Sequence, residues 1–177
     1  VLNIDRQIVA TPESPLELTL ASAMLKSDKF DLVVQKAVEL GVSRIVPLET
    51  THSDARPRDV AKKAERWRKI ALEAAKQCGR AKLMQIDEPI NFAEFVGVVD
   101  GDVFFFTERG GDEFPSELAS KKITAFVGPE GGWDDSEIEL ARSQGFGLIT
   151  FGGRILRAET AAISVAAILQ HRFGDIN

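Results

Sequence analysis

The chain has 177 residues, 44% of them hydrophobic and 28% charged, which describes a soluble globular protein with a real core and excludes a disordered or fibrous one. One cysteine, Cys78, excludes an intramolecular disulfide and a Cys-based zinc cage, and two scattered histidines, His52 and His171, are too few for a His-rich metal site. The net charge of −5 argues against a general nucleic-acid binder.

Residues 16–23 alternate apolar and polar, which predicts a strand. Asp28 stands where a helix N-cap belongs, Phe30, Val33, Val34, Ala37 and Leu40 follow with helical spacing, and Gly41 is a natural stop. A short strand is expected over 44–48 and a helix over 58–78, ended by Gly79. A strand at 82–86, a helical turn at 91–96 and two apolar strands at 103–107 and 123–127 come next. A helix over 134–143, a strand over 146–151 and a helix over 160–172 complete the chain. Strands that are continuous apolar runs, alternating with helices, predict an α/β fold with a mainly parallel sheet covered on both faces. The longest apolar stretch, 161–169, falls far short of the roughly 20 residues that span a bilayer. No signal-peptide pattern opens the chain, and a cytoplasmic location is expected. Val1 rather than Met comes first, which leaves room for a preceding segment.

Charge is unevenly spread. Residues 56–82 hold ten Lys or Arg against Asp59, Glu65 and Glu73, so this segment carries +7 and the remainder −12. Val60, Ala64, Trp67, Ala71, Ala74 and Cys78 form one helical stripe that should face the core. Lys62, Arg66, Lys69, Lys76 and Arg80 then project from the opposite side. They are either a solvated face with intrahelical partners or an RNA-facing surface.

Seven of the fourteen glycines lie between 128 and 153. Gly128-Pro129-Glu130-Gly131-Gly132 joins a strand to a helix, and Phe151-Gly152-Gly153-Arg154 follows the next strand. Two successive glycine loops at strand ends point to a ligand site, since glycine lets backbone approach a ligand closely. Neither a GxxxxGK[ST] nor an early GxGxxG motif is present. Glu130, Asp134 and Asp135 would repel phosphate, and Asp134 and Glu137 have the spacing of a capping box. A cofactor with hydroxyls and an adenine ring but no phosphate suits such a loop, and S-adenosylmethionine has that character.

GPEGG at 128–132, RILRAETA at 154–161, RFGD at 172–175, QKAVELGV at 35–42 and EAAKQCGR at 73–80 closely resemble the small-subunit (16S) ribosomal RNA uridine N3-methyltransferases of the RsmE type. The resemblance runs through most of the chain in the right order. It implies a SPOUT-class fold with a C-terminal trefoil knot forming the cofactor pocket, a homodimer joined around the knot, and no metal. It implies that residues 16–177 are the methyltransferase domain and residues 1–15 the connection from a PUA-like β-barrel. Small-subunit rRNA or the assembled 30S particle is the implied partner. This chain departs from the family at Gly153 (commonly proline), at Ala158 (commonly threonine) and at Thr50-Thr51-His52-Ser53-Asp54, where relatives often carry a basic run.

On this reading Arg157 stabilises charge on the uracil or grips phosphate, unless it pairs with Glu159 or Glu130, and Arg154 assists or is structural. No general base is legible. Thr107, Glu108, Pro129, Glu130, Gly131, Gly152 and Gly153 are expected around the cofactor, with backbone groups of Gly128, Gly132, Phe151, Ile155 and Leu156 holding adenine and ribose. Thr160 either bonds the cofactor or caps the last helix. Trp133 either stacks on a base or packs against the sheet edge. Phe104, Phe105 and Phe106 read as buried strand, Cys78 as core, His171 as a helix-dipole contact, and His52 as a weak candidate for any role. Two other readings remain: a methyltransferase acting on another RNA, and a noncatalytic RNA-binding or assembly module of the same fold.

Overall fold

The structure, a computed structural model, describes residues 12–53, 60–150 and 152–176. Its elements are β1 (Glu17–Ala23), α1 (Lys29–Glu39), β2 (Arg44–Glu49), α2 (Val60–Cys78), β3 (Gln85–Ile86), β4 (Ile90–Asn91), α3 (Phe92–Val96), β5 (Asp102–Thr107), β6 (Lys122–Val127), α4 (Asp135–Ser143), β7 (Gly147–Thr150) and α5 (Ala158–Phe173). The strands form one sheet in the order β3-β2-β1-β6-β5-β7, with β4 also on β2, and all named pairings are parallel.

Strand side chains alternate between two cores. Phe104 and Phe106 of β5 join Leu18, Leu20, Ile123 and Val127 under α1, α2 and α5. Phe105 turns the other way and joins Ala21, Phe126 and Trp133 under α3 and α4. Burial on both faces is why these strands are continuous apolar runs. The three phenylalanines are therefore interior, as the sequence predicts.

Gly41 ends α1 as expected: its φ of +73° lets its N–H and that of Val42 reach back to Val38 and Ala37. Asp28 is the N-cap residue of α1, but its side chain makes no capping bond. One strand was not expected, and three expectations need correction. The two-residue strand β4 is too short to leave a periodic signal. Helix α5 begins at Ala158, so Thr160 lies in its first turn and is not its cap. Cys78 is exposed, because Ala75 takes the inward position where α2 ends. Arg80 does not project: only 10% of its side chain is exposed, it pairs with Glu13 at 2.7 Å, and it donates to the Val38 and Val42 carbonyls at 3.0 and 2.9 Å. It thus caps the end of α1, where a cation is favoured.

After β5, the chain returns along the sheet edge. The Asp112 N–H donates to the Leu148 carbonyl at 2.8 Å, and Asp112 forms a parallel bridge with Ile149, so this loop covers the outer side of β7. Gly111 is required there, since a Cβ would lie 2.6 Å from the Ile149 carbonyl carbon. Among the described residues no helix is long and apolar enough to cross a membrane. Residues 1–11, Asp54, Arg56, Arg58, Asp59, the Val60 side chain and Phe151 lie outside the described residues.

Candidate active site

Strands β6, β5 and β7 are neighbours and run the same way, so the loops leaving their carboxyl ends meet. Between these loops is a cleft of about 620 Å³, within the usual range for small-molecule sites. Thr107 and Glu108 line it from β5, and all five residues of the GPEGG loop line it after β6. Gly152, Gly153, Arg154, Ile155, Leu156 and Arg157 close it after β7. The two glycine-rich loops thus come together. Thr160, exposed on the first turn of α5, is not among the lining residues.

The GPEGG loop is fixed from several sides. The Gly132 N–H closes a turn onto the Pro129 carbonyl at 3.0 Å. Gly132 has a φ of +72°, and a Cβ there would lie 2.9 Å from Glu108 Oε1. Its carbonyl accepts from His52 Nδ1 at 3.1 Å; a carbonyl only accepts, so Nδ1 carries the proton. Both Gly132 main-chain groups are therefore engaged within the protein, and its contribution to the cleft is conformation more than donation. Gly131 packs against His52, where a Cβ would come within 3.0 Å of the imidazole's own Cβ. Behind the loop, Trp133 is buried and its Nε1–H donates to the Phe106 carbonyl at 2.8 Å. Its ring lies 4.4 Å from Phe105 and 5.1 Å from Phe92, centroid to centroid. Of the two readings for Trp133, packing is the observed one.

The acidic residues of the GPEGG loop and of the start of α4 are already engaged. Asp134 and Glu137 form the expected capping box of α4. Glu137 also accepts from the Thr51 N–H at 2.9 Å, which ties the β2–α2 loop to this end of the sheet. Two hydrogen bonds from Ser136, with help from His52, hold the Asp134 carboxyl below its ordinary range. Glu130 Oε1 receives the Lys29 ammonium at 3.1 Å and the Lys26 N–H at 3.4 Å. Burial pushes the Glu130 carboxyl up, but its own N–H, Lys29 and the Lys26 N–H outweigh burial and hold it below the usual range. Lys29 also lies 3.9 Å from Glu159, so one cation bridges the GPEGG loop to the start of α5.

That arrangement leaves the arginines unclaimed. Arg154 and Arg157 are exposed at the cleft, and neither side chain makes an ion pair or hydrogen bond among the described residues. The salt bridges weighed for Arg157, to Glu130 or Glu159, go to Lys29 instead. Lys29 is the participant that sequence reading missed, and His52, read there only as a weak candidate, holds the glycine loop. Their partners lie roughly 80 to 130 residues away, beyond what local periodicity reports. Among the described residues, no group of three or more His, Cys, Asp or Glu side chains is gathered as a metal site.

Residues 12–170 match the family model described as RNA methyltransferase domain. The chain is 36% identical to the ribosomal RNA small subunit methyltransferase E of Mesomycoplasma hyopneumoniae, over 90% of this chain and 72% of that protein. A methyltransferase of Legionella pneumophila, solved with the cofactor S-adenosylmethionine bound, superposes with a TM-score of 0.87 at 34% identity, over 93% of this chain and 69% of that one. The Neisseria gonorrhoeae ribosomal RNA small subunit methyltransferase E, solved with S-adenosylmethionine, gives 0.86 at 32% identity, over 94% and 70%. This chain belongs to the RNA methyltransferase domain family, among the relatives of ribosomal RNA small subunit methyltransferase E.

Proposed function

We propose that this chain methylates a uridine N3 in small-subunit (16S) ribosomal RNA, with S-adenosylmethionine as methyl donor. The observation that carries the reading is the cleft itself. Two glycine-rich loops close it at the carboxyl ends of adjacent parallel strands, in a chain whose relatives include methyltransferases solved with this cofactor. The cleft suits an adenine and ribose: much of its wall is glycine backbone and apolar side chain, and of its two carboxylates Glu130 is engaged with Lys29 while Glu108 remains to accept from a hydroxyl.

S-adenosylmethionine supplies an electrophilic methyl group when bound. The chain's own residues do the rest. Backbone of Gly128, Ile155 and Leu156, which lines the cleft, would border adenine and ribose, and Gly132 keeps the loop in its left-handed turn. Loss of the imide proton at N3 leaves negative charge on the uracil. Arg157, with Arg154 beside it, stabilises that charge. Support for this role comes from two cations at the cleft that no protein carboxylate neutralises among the described residues.

The rest of the reading follows the resemblance: a SPOUT-type knot where the loop over 152–157 enters α5, a homodimer around it, a preceding PUA-like domain joined through residues 1–15, and a cytoplasmic setting with rRNA or the 30S particle as partner. The test is methyl transfer to small-subunit rRNA, bare and in 30S particles, with mass mapping of the modified base. Calorimetry with S-adenosylmethionine runs beside it. The Arg157→Ala variant should bind cofactor as the parent does and lose at least a hundredfold in transfer, the scale of one lost electrostatic stabiliser. Unchanged transfer removes Arg157 from the mechanism, and absence of one-site cofactor binding in the parent chain overturns the function.

A further inference from the structure

The GPEGG loop faces the cleft along its whole length, since all five of its residues line it. His52 is not a lining residue, yet it touches the last two glycines of that loop from outside the cleft. Its Nδ1–H donates to the Gly132 carbonyl at 3.1 Å, and its Cβ stands 3.0 Å from where a Gly131 Cβ would be. Its Nε2 lies 3.7 Å from Asp134 Oδ2, at the N-cap of α4. One ring thus spans the loop from Gly131 to the start of the next helix.

The arm that carries His52 is itself braced. Thr50 and Ser53 are buried with their hydroxyl oxygens 2.8 Å apart, and the Ser53 N–H closes a turn on the Thr50 carbonyl at 3.1 Å. Thr51 gives its N–H and its hydroxyl to Glu137 Oε1 at 2.9 and 3.2 Å. Glu137 Oε2 accepts in turn from the Asp134 N–H at 3.0 Å. These contacts close a ring from Gly132 through His52, Thr51, Glu137 and Asp134 back to Gly132, so the loop cannot shift without breaking one of them. Adjacent glycines have the greatest backbone freedom, and freezing them when a ligand arrives opposes binding. A hydrogen bond that freezes them beforehand takes that cost out of the binding step.

We propose that His52 is a positioning residue for the methyl donor: it acts through the Gly132 carbonyl, holding the GPEGG loop in the shape that the cofactor meets, without touching the cofactor itself. The proposal rests on the methyltransferase reading above.

The test is a set of substitutions at this one position. Asparagine carries its amide nitrogen as many bonds from the backbone as Nδ1, so it can still donate to Gly132. Glutamine carries its nitrogen where Nε2 stands, so it keeps the Asp134 side and loses the Gly132 side. His52→Ala and His52→Gln should bind S-adenosylmethionine about five- to tenfold more weakly by calorimetry, the scale of one lost hydrogen bond. His52→Asn should recover the parent affinity to within about twofold. In transfer to small-subunit rRNA, the alanine variant should raise KM for the cofactor by the same factor and change kcat less. Amide exchange in the chain without cofactor reads the latch directly: the Gly132 N–H, which closes the turn on Pro129, should exchange about fivefold faster in the alanine and glutamine variants than in the parent or the asparagine variant. If alanine unfolds the chain, the asparagine and glutamine pair carries the comparison. Equal affinities in all variants, or an asparagine variant as weak as the glutamine one, would overturn the assignment and leave the enzyme reading standing. A parent that binds no cofactor sinks the enzyme reading instead, and the exchange rates then decide the latch, which is refuted if they do not move.

Discussion

Replacing Trp133 by Phe tests how the cofactor loop is anchored. The indole is 2% exposed, and its N–H satisfies the Phe106 carbonyl at 2.8 Å. Phenylalanine keeps an aromatic ring beside Phe105 and Phe92 but donates nothing. Losing the indole donor costs about 1–1.5 kcal/mol, the net contribution of one buried hydrogen bond. The volume vacated by the smaller ring costs about 1 kcal/mol more, because a close-packed aromatic cluster relaxes only partly. The expected loss is about 2–2.5 kcal/mol, a large part of a typical domain's stability. Equilibrium urea unfolding reads it as a lower midpoint at unchanged slope. Gly128 should feel the change too, since its Cα packs so near the indole that a Cβ would lie 2.9 Å from Nε1. A loss under about 0.5 kcal/mol would refute the anchoring argument, because a well-packed hydrogen-bonded side chain cannot be truncated so cheaply. Full stability with cofactor affinity lost would show that the ring meets the ligand and not the core.

Three further outcomes follow from the same geometry. Gly132→Ala should cost about 1–2 kcal/mol of stability, because a φ of +72° strains any residue with a Cβ, and cofactor affinity should drop at least tenfold by calorimetry; an unchanged affinity would remove this residue from the pocket. Arg80→Ala should destabilise the chain by about 2–3 kcal/mol in urea, by breaking the Glu13 salt bridge and removing one donor each from the Val38 and Val42 carbonyls, while rRNA affinity stays within a factor of two. Glu130→Gln should remove an acid-sensitive part of the stability. The native carboxyl titrates below its ordinary value of 4.5, so its contribution is fully present above that value and is lost as pH falls through the lower native one. Parent and variant midpoints should differ at neutral pH and converge in acid; parallel curves would contradict the Lys29 pairing.

The two-sided sheet was legible because strands buried on both faces must be apolar throughout, as in Val103 to Phe106. The glycine loops were legible because their composition reports a backbone need directly. Three kinds of feature were not. Helix α5 starts at a residue with no capping side chain, so nothing polar marks its beginning. Arg80 looks like a surface cation from its neighbours, and only the meeting of Glu13 with the end of α1 draws it inward. His52 and Lys29 act on the glycine loop across long stretches of chain, and Lys29 competes successfully for the carboxylates first weighed as partners of Arg157. These are contests between distant groups, decided only once the strand order is known.

The strand order also has a consequence for synthesis. Of the described strands β1 is made first, yet it lies inside the finished sheet, and one of its two neighbours is β6. At about 5–20 residues per second, the roughly one hundred residues between Ser22 and its partner Val127 take on the order of 5–20 s to appear. During that interval β1 can pair with β2 on one side only, and Leu18 and Leu20 lack the cover that β6 and α5 later provide. Until β6 is made, the β1 edge stays open and apolar, the kind of edge that pairs with other chains unless it is covered.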